Sequence, residues 1–233
     1  MKRFDIITLF PNMIDGYTDE SILGRAQKKK LIKIEAHNLR SFTKDKHGKV
    51  DDTPYGGGPG MVMTVQPIDS AIRKIKKRRG KTHVILTAAS GKTFTQQDAK
   101  RLCKYDQLIF ICGRYEGVDA RVEEHIADEA LSIGDYVLTG GELPAMVMTD
   151  AIARLVPGVL GDIESLTDES HNKPGQLEYP QYTKPEEYEL KVISGKLQVA
   201  RKKTLSVPPI LLSGDHKKIA QWREEQAAKR SRE

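Results

Sequence analysis

The sequence predicts an α/β protein with a mostly parallel sheet, followed by a small helical C-terminal domain. Two observations support the sheet. Short apolar segments alternate with amphipathic ones through residues 1–161, and two of the apolar segments end in glycine-bearing turns. A third observation, the loss of aliphatic residues after Gly161, predicts that a linker and a second domain follow.

The elements of the first domain follow from apolar spacing. In Val65–Arg79, for example, Ile68, Ile72 and Ile75 recur at intervals of four and three, which predicts an amphipathic helix. Thr95 is suited to cap a helix that runs through Lys104. The other predicted helices are Ser21–Lys30, Val118–Ala127 and Leu143–Leu155, and the predicted strands are Lys2–Leu9, Leu31–Leu39, His83–Ala88, Gln107–Cys112 and a short one within Asp128–Ile133.

Composition divides the chain into three parts. Residues 1–161 form the predicted α/β domain. Residues 162–185 contain three prolines and few aliphatic residues, which predicts a long linker or mobile loop, and loops of this length are often functional. Residues 186–233 are predicted to form the helical domain, with a helix at His216–Lys229 that carries Trp222.

Charge and cysteine content limit the compartment and the partners. The chain has 38 basic and 32 acidic side chains, and its basic residues cluster in segments such as Arg73–Arg79. Such clusters can face phosphates or can be solvated helix faces, so charge alone leaves nucleic-acid binding open. Cys103 and Cys112 lie in apolar or amphipathic segments, which favours a reducing compartment. Since no apolar segment approaches the roughly 20 residues of a membrane span, we expect a cytoplasmic protein without a membrane partner.

The two glycine-bearing turns predict a small-molecule pocket. Ile109–Gly117 (IFICGRYEG) is a buried strand that ends in a tight turn, and Ile133–Pro144 (IGDYVLTGGELP) repeats that design. Pockets in α/β sheets lie at the carboxyl ends of strands, where backbone N–H and C=O groups can bind a ligand. The alternative is a pair of ordinary strand-to-helix turns.

Other motifs carry less information from their residues alone. The run Gly56–Gly60 lacks the Lys-Ser/Thr of a phosphate-binding loop, so it is either a flexible turn or a backbone that approaches a ligand or a second subunit closely. Arg154 either complements a helix C-terminus or binds an anionic substrate. Loop carboxylates such as Asp168 and Glu169 are usually solvated. The six histidines are scattered, and no metal site is predicted.

Across its length the chain closely resembles the bacterial tRNA (guanine-37-N1) methyltransferases, which belong to the trefoil-knotted SPOUT class. The resemblance runs from Phe4 to Arg223, with the motifs in the family's order. The matching segments are FDIITLFP, DDTPYGGGPGMVM, ICGRYEGVDAR, SIGDYVLTGGELPAM, DAIARLVPGVLG, YPQYTKP and VPPILLSGDH with a downstream WR.

The resemblance implies a deep trefoil knot whose three loops hold the methyl donor S-adenosylmethionine. Two of these loops match the glycine-bearing turns, and Leu86–Gly91 is assigned to the third by position only. The resemblance also implies a homodimer with active sites shared between subunits, in which the C-terminal domain helps to hold tRNA. The residues it implies for the donor are Thr87, Ala88, Gly113, Tyr115, Gly117, Ile133, Gly134, Asp135, Tyr136, Val137, Leu138, Gly140, Gly141 and Pro144.

Methylation at guanine N1 requires a group that removes the N1 proton and a donor that stabilises negative charge on O6. The base must also leave its stack, which costs less in an anticodon loop than in a duplex. The resemblance implies a loop carboxylate as the base. Glu169 has the matching position directly before Ser170, and Asp168 has the family's side-chain length; we favour Glu169. Arg154 matches the assisting arginine of the family.

The resemblance further implies that Glu116, Ser165 and Ser170 contact the guanine or nearby backbone. It also implies a Mg²⁺ requirement, and because the sequence shows no dedicated cage, the ion would be shared with substrate.

Two alternatives use other functions of the same fold. A knotted enzyme could modify another RNA nucleoside, against which the YPQYTKP and SGDH segments argue. A non-catalytic RNA-binding protein is opposed by the intact glycines of both turns.

Overall fold

The computed structural model describes residues 1–161, 169–194 and 199–232. The chain divides into two compact units, Met1–Ile163 and Glu164–Glu233, which are described separately. The assignment of residues 162–185 as a linker between two domains stays a prediction.

The first unit alternates strands and helices, as predicted. One helix was not predicted: α1 begins at Pro11, whose fixed φ suits the first turn of a helix. The elements in chain order are β1 (Lys2–Thr8), α1 (Pro11–Thr18), α2 (Ser21–Lys28), β2 (Ile32–Asn38), a short 3-10 helix (Leu39–Phe42), β3 (Asp51–Asp52), β4 (Val62–Met63), α3 (Val65–Ile75), β5 (Thr82–Thr93), α4 (Gln96–Leu102), β6 (Gln107–Cys112), α5 (Ala120–His125), β7 (Glu129–Ser132) and α6 (Glu142–Ala153).

Two of these elements end four or more residues away from their predicted ends. Helix α3 ends at Ile75, although the apolar pattern predicted a helix to Arg79. The four residues after Ile75 are all basic, and like charges at helical spacing repel one another. Strand β5 continues to Thr93, beyond its predicted end at Ala88.

The central sheet has five strands in the order β2-β1-β6-β5-β7, and all four of its strand pairs are parallel. Strand β6 lies in the middle, and each of its six residues is buried. A continuous apolar strand of this kind is expected where helices cover both faces of a parallel sheet. The predicted mostly parallel α/β architecture is therefore confirmed.

Alternating side chains of the strands supply two cores, one on each face of the sheet. Phe4 and Phe110 belong to the core that α1, α2, α4 and α6 cover. Their neighbours Ile7, Ile109 and Ile111 belong to the core that α3 and α5 cover. The period of two within β1 and β6 thus anchors helices on both faces and leaves the carboxyl ends of the strands at one edge, where loops emerge.

Strand β5 contains an excursion that shapes this edge. Leu131 of β7 is the register partner of both Thr87 and Lys92, so residues 88–91 leave the sheet between them. Gly91 makes the excursion possible, because a Cβ there would lie 2.6 Å from the carbonyl carbon of Ala130. The backbone of β5 therefore passes directly against the backbone of β7.

The second unit contains an antiparallel hairpin and two helices. Strand β8 (Glu187–Ser194) pairs with β9 (Val199–Ser206), and α7 (Pro209–Leu212) and α8 (His216–Arg230) follow. The prediction of a helical domain over residues 186–233 is correct for α8 and wrong for the hairpin. The β8 sequence alternates apolar and charged residues over Glu187–Val192, which is the pattern of a half-exposed strand. No helix in the described parts of the chain is long and apolar enough to cross a membrane.

Candidate active site

A pocket of about 440 Å³ lies at the carboxyl ends of β5, β6 and β7. Three chain segments enclose it, each of which follows or interrupts one of these strands: residues 86–90, 113–118 and 131–141. Glu123 of α5 and Pro144 of α6 complete the lining. The structure therefore brings together the two glycine-bearing turns and the Leu86–Gly91 segment that the resemblance placed beside them.

Most of the residues predicted for the donor lie on this lining. Gly134, Asp135 and Val137 do not, and the Val137 side chain is 85% exposed. The donor-binding role of the whole set stays a prediction. The predicted residues on the lining are Thr87, Ala88, Gly113, Tyr115, Gly117, Ile133, Tyr136, Leu138, Gly140, Gly141 and Pro144.

The loop after β6 is fixed by the segment that contains β4. The backbone N–H of Glu116 donates to the carbonyl of Met61 (3.0 Å), and the N–H of Met63 donates to the carbonyl of Gly117 (3.0 Å). Tyr115 has a positive φ of 61°, which completes the tight turn. Glu116, the predicted guanine contact, is held on the pocket lining by these bonds.

The Gly56–Gly60 run acts as a turn at two of its residues, and its approach to a ligand or a second subunit stays a prediction. No heavy atom lies within 4 Å of a Cβ built on Gly56 or Gly57, so these two residues supply left-handed turn geometry alone. At Gly60 a Cβ would lie 2.4 Å from Cγ of Glu116. The close approach is therefore to a side chain of the pocket lining.

The loop after β7 depends on two glycines in different ways. A Cβ on Gly141 would lie 2.0 Å from Oγ1 of Thr87 and 2.8 Å from Cα of Cys112. The Gly141 N–H also donates to the carbonyl of Gly113 (2.9 Å), which joins two of the pocket loops. A Cβ on Gly134 would instead lie 2.6 Å from the ring of Tyr136, so a substitution there would act on the pocket through Tyr136.

An ion pair between Arg114 of the lining and the buried Glu142 was not predicted. Nε of Arg114 donates to Oε2 of Glu142 at 2.9 Å, and the Glu142 side chain is 1% exposed. Glu142 is the first residue of α6, where the positive end of the helix dipole favours a carboxylate. An acidic residue directly after Gly140-Gly141 is the only trace of this pair in the sequence.

Cys112 ends β6 beside the pocket and is fully buried. Burial, together with the negative charge of Glu142, raises the pKa of the Cys112 thiol. Since the thiolate is the nucleophilic form, this cysteine is a packing residue at neutral pH.

The predicted catalytic residues are distributed over both units. Arg154 follows the last residue of α6, and its N–H donates to the carbonyl of Asp150 (3.2 Å). In the second unit, the carbonyl of Glu169 accepts from the N–H of Asn172 (3.2 Å), and Oγ of Ser170 accepts from the N–H of Glu178 (2.9 Å). Asp168 and Ser165 lie outside the described residues. The meeting of a loop carboxylate with Arg154 therefore stays a prediction.

Among the described residues, one group of three could offer metal ligands: Asp5, Glu35 and His37. The buried Asp5 carboxylate already accepts from Arg3, His37 and Gln107, each at 2.7 Å. Although burial opposes ionisation, these hydrogen bonds hold the pKa of Asp5 below its usual value. The Arg3 guanidinium pairs with Asp5 (2.7 Å) and Glu35 (3.1 Å), so the three residues form an ion-pair cluster with Arg3.

Comparison with known proteins gives consistent matches over the full chain. The family model described as tRNA (Guanine-1)-methyltransferase TrmD matches residues 1–233. A relative from Dictyoglomus turgidum is 53% identical over 231 residues, which are 99% of this chain and 87% of the relative. One from Ruminiclostridium cellulolyticum is 49% identical over 232 residues, with 99% and 93% covered. One from Thermomicrobium roseum is 52% identical over 222 residues, with 95% and 77% covered. All three carry the name tRNA (guanine-N(1)-)-methyltransferase.

Proposed function

Because the chain belongs to the tRNA (guanine-1)-methyltransferase family, we propose that it methylates N1 of the guanine at position 37 of tRNA, with S-adenosylmethionine as the methyl donor. Methylation of a tRNA guanine at N1 follows from membership of the family. Position 37, the donor site and the catalytic residues are the finer parts of the proposal. The observation that supports them is the convergence of three strand-end loops on one pocket.

The pocket fits S-adenosylmethionine in size and in chemistry. Its volume of about 440 Å³ lies within the range of small-molecule sites. Leu138 and Pro144 offer apolar surface, and glycines leave backbone N–H and C=O groups accessible to an adenine edge. The charged side chains of the lining are Arg114, Glu116 and Glu123, and Arg114 is already paired with Glu142. The remaining carboxylates suit a cationic sulfonium.

The chain's own residues would then orient the guanine and move its proton. When bound, S-adenosylmethionine supplies an activated methyl group. The carboxylate of Glu169, or of Asp168, accepts the proton of guanine N1, which raises the electron density on that nitrogen. Arg154 donates to O6, where negative charge develops. Glu116, Ser165 and Ser170 hold the guanine, so that the proton leaves only when N1 faces the methyl group.

We propose that the three loops form the trefoil knot of the SPOUT class. Two close approaches support this proposal. Residues 88–91 leave β5 and pass against the backbone of β7 at Ala130, and the loop after β7 returns to donate from Gly141 to Gly113. Interlocked loops need such contacts between backbones, which only glycine permits.

We also propose a homodimer with active sites shared between subunits. Helices α1 and α6 are neighbours, and large apolar side chains in and beside them are exposed. Phe10, Met13, Tyr17, Leu143 and Val147 are each between 42% and 50% exposed. A contiguous apolar surface of this kind is typical of a protein interface.

The second unit would bind tRNA with the basic residues of its helices and hairpin, and Mg²⁺ would bind together with the substrate.

The proposal is tested by transfer of labelled methyl groups to tRNA transcripts that differ only at position 37. We expect transfer to a transcript with guanine at position 37 and none to a matched transcript with adenine there. Nucleoside analysis of the product should give 1-methylguanosine. Equal transfer to both transcripts would contradict the assignment of position 37, and a different methylated nucleoside would contradict the assignment of N1.

The same assay identifies the base. We expect Glu169→Gln to lower kcat by about 100-fold or more, since general-base catalysis typically contributes that much, while donor affinity measured by calorimetry is kept. Glu178→Gln in the same loop is the matched control and should keep its activity. If Asp168→Asn alone abolishes turnover, the base is Asp168. If both variants stay active, the loop carboxylates are not the base.

A further inference from the structure

The ion pair between Arg114 and Glu142 joins parts of the chain that enclose the pocket, although neither residue was assigned a role above. Glu142 is 1% exposed, and a buried carboxylate is stable only when its lone pairs are satisfied. Oε2 accepts from Arg114, and Oε1 accepts from Oγ1 of Thr8 at 2.7 Å. Thr8 is itself fully buried at the end of β1. The carboxylate thus ties the start of α6 to the loop after β6 and to β1.

The Arg114 side chain uses its donors within the protein. Besides Glu142, it contacts the carbonyl of Thr139 through Nη1 (3.1 Å), and its guanidinium lies 4.6 Å from the ring centroid of Phe10. Nη2 lies 3.6 Å from Sδ of Met13. The side chain is 17% exposed, and its planar fork matches a carboxylate and a carbonyl at once. Arg114 lies on the pocket lining, and these contacts make its side chain a support for two of the pocket loops.

The path of Arg114 also explains Gly140. A Cβ on Gly140 would lie 2.2 Å from Nε and 2.5 Å from Cζ of Arg114. The residue is therefore glycine because the guanidinium crosses over it. The resemblance assigned this glycine to the donor, and that role stays a prediction; the contact with Arg114 is a separate reason for glycine at this position.

We propose that Arg114, Glu142 and Thr8 form a positioning unit that holds the loops 113–117 and 139–141 together and so preforms the pocket before the ligand binds. The assignment of the ligand as S-adenosylmethionine rests on the proposed function. The preformed state of the loops does not, since it depends only on contacts within the protein. Arg114 is a positioning residue in this scheme and touches neither the methyl group nor the guanine.

The test compares donor affinity and loop order in four variants: Arg114→Met, Arg114→Lys, Glu142→Gln and the double variant Arg114→Met/Glu142→Gln. We expect each Met or Gln single variant to raise the Kd for S-adenosylmethionine about tenfold or more, as the loss of a charged, buried hydrogen bond implies. Arg114→Lys should fall between wild type and Arg114→Met, because a lysine cannot hold both acceptors. The double variant should lose little more than either single variant.

A positioning role also predicts that the variants change the KM for the donor more than they change kcat. The KM for the donor should rise in the variants, while kcat at saturating donor stays within a few-fold of wild type. In the ligand-free protein, hydrogen exchange at residues 113–117 and 139–141 should become faster. Arg121→Met is the matched control: it removes an arginine that pairs with Asp119 at 2.6 Å and is 60% exposed. This control should change neither the Kd nor the exchange of the pocket loops.

The outcomes separate this inference from the proposed function. An unchanged Kd, a fall in kcat without a change in KM, or additive losses in the double variant would each overturn the positioning role. If wild-type protein does not bind S-adenosylmethionine, the donor assignment fails, and the exchange measurement still decides the role of Arg114. Unchanged exchange in Arg114→Met and Glu142→Gln would overturn the inference even in an active enzyme.

Discussion

The pocket edge of the first unit and the polar network around helix α4 use similar residues for different purposes. We define the α4 network as Lys92, Asp98, Arg101, Glu129 and His83. In the network, charged side chains bond to one another: Asp98 accepts from Lys92 (2.9 Å) and Arg101 (3.1 Å), Arg101 also donates to Glu129 (2.9 Å), and Glu129 contacts His83 (2.7 Å). The charged side chains of this network therefore bind one another rather than a ligand.

At the pocket edge, Arg114 lies on the lining but is paired with the buried Glu142, and several glycines of the loops line the pocket beside it. The comparison teaches that charge alone does not locate a site in this chain. The pocket lies where one ion pair joins two loops, whereas the α4 network lies where ion pairs close the space between elements. Variants at the first edge should therefore change ligand binding, and variants near α4 should change stability.

Among variants that test this contrast between the pocket edge and the α4 network, Gly141→Ala should have the largest effect, which is a loss of donor affinity. Its Cβ would lie 2.0 Å from Oγ1 of Thr87 and 2.8 Å from the backbone at Cys112, and backbone cannot move away as a flexible side chain can. We expect donor affinity to fall by about 100-fold or more, because a misplaced pocket loop loses several contacts at once. Calorimetric titration with S-adenosylmethionine measures the effect.

The matched control is Gly16→Ala in α1. No heavy atom lies within 4 Å of a Cβ at that position, and alanine favours a helix over glycine. This variant should keep its donor affinity and gain slight stability. Equal Kd values for Gly141→Ala and wild type would remove the steric basis of the pocket assignment.

A smaller effect, on stability alone, is expected for Lys2→Met. The buried ammonium of Lys2 donates to the carbonyls of Leu102 (3.1 Å) and Cys103 (3.3 Å), the last residue and the C-cap of α4. Methionine fills similar volume but leaves these carbonyls without their donor, which costs about 2 to 3 kcal/mol. Urea unfolding should show this loss, with an unchanged donor Kd. A change in Kd would show that the end of α4 and the pocket edge are coupled.

The sequence predicted the parts of the fold that depend on local pattern. The five central strands were found because apolar runs such as Gln107–Cys112 need no distant partner to be recognised. The capping role of Thr95 was also confirmed. Its hydroxyl accepts from the N–H of Asp98, and the Asp98 carboxylate accepts from the N–H of Thr95. The hairpin of the second unit was missed, because only β8 alternates apolar and charged residues, and β9 contains three consecutive basic residues, Arg201–Lys203.

The candidate site was predicted in part. The glycine turns indicated a pocket at strand ends, and the structure places both turns on one cavity. The Arg114–Glu142 pair was not predicted, because 28 residues separate its members and only the folded sheet brings them together. The roles of Glu169 and Arg154 came from resemblance alone, since an isolated loop carboxylate or helix-terminal arginine has no distinctive local pattern.

The smallest of the expected effects is the change in the free energy of unfolding when Asp98 is protonated at low pH. Burial of Asp98 opposes its ionisation, but hydrogen bonds from Lys92, Thr95 and Arg101 outweigh that penalty and lower the pKa of Asp98 to about 2. The carboxyl side chain is 4% exposed, so solvent screens these bonds little. In the unfolded chain its pKa would be 3.8. The native state therefore gains about 2 kcal/mol from this group at neutral pH.

This contribution is fully present above pH 3.8 and is lost as the pH falls through about 2, because the unfolded chain binds the proton first. We expect Asp98→Asn to lower the free energy of unfolding by about 2 kcal/mol at pH 7 and to flatten its decline between pH 4 and pH 2.

Asp69→Asn is the control, since Asp69 pairs with the 79% exposed side chain of Arg73, and such exposed pairs contribute little. Urea unfolding at pH 7, 4 and 2.5 separates the two variants. An identical pH dependence in Asp98→Asn and wild type would show that the α4 network does not stabilise the fold through this carboxylate. The contrast with the pocket edge would then rest on geometry alone.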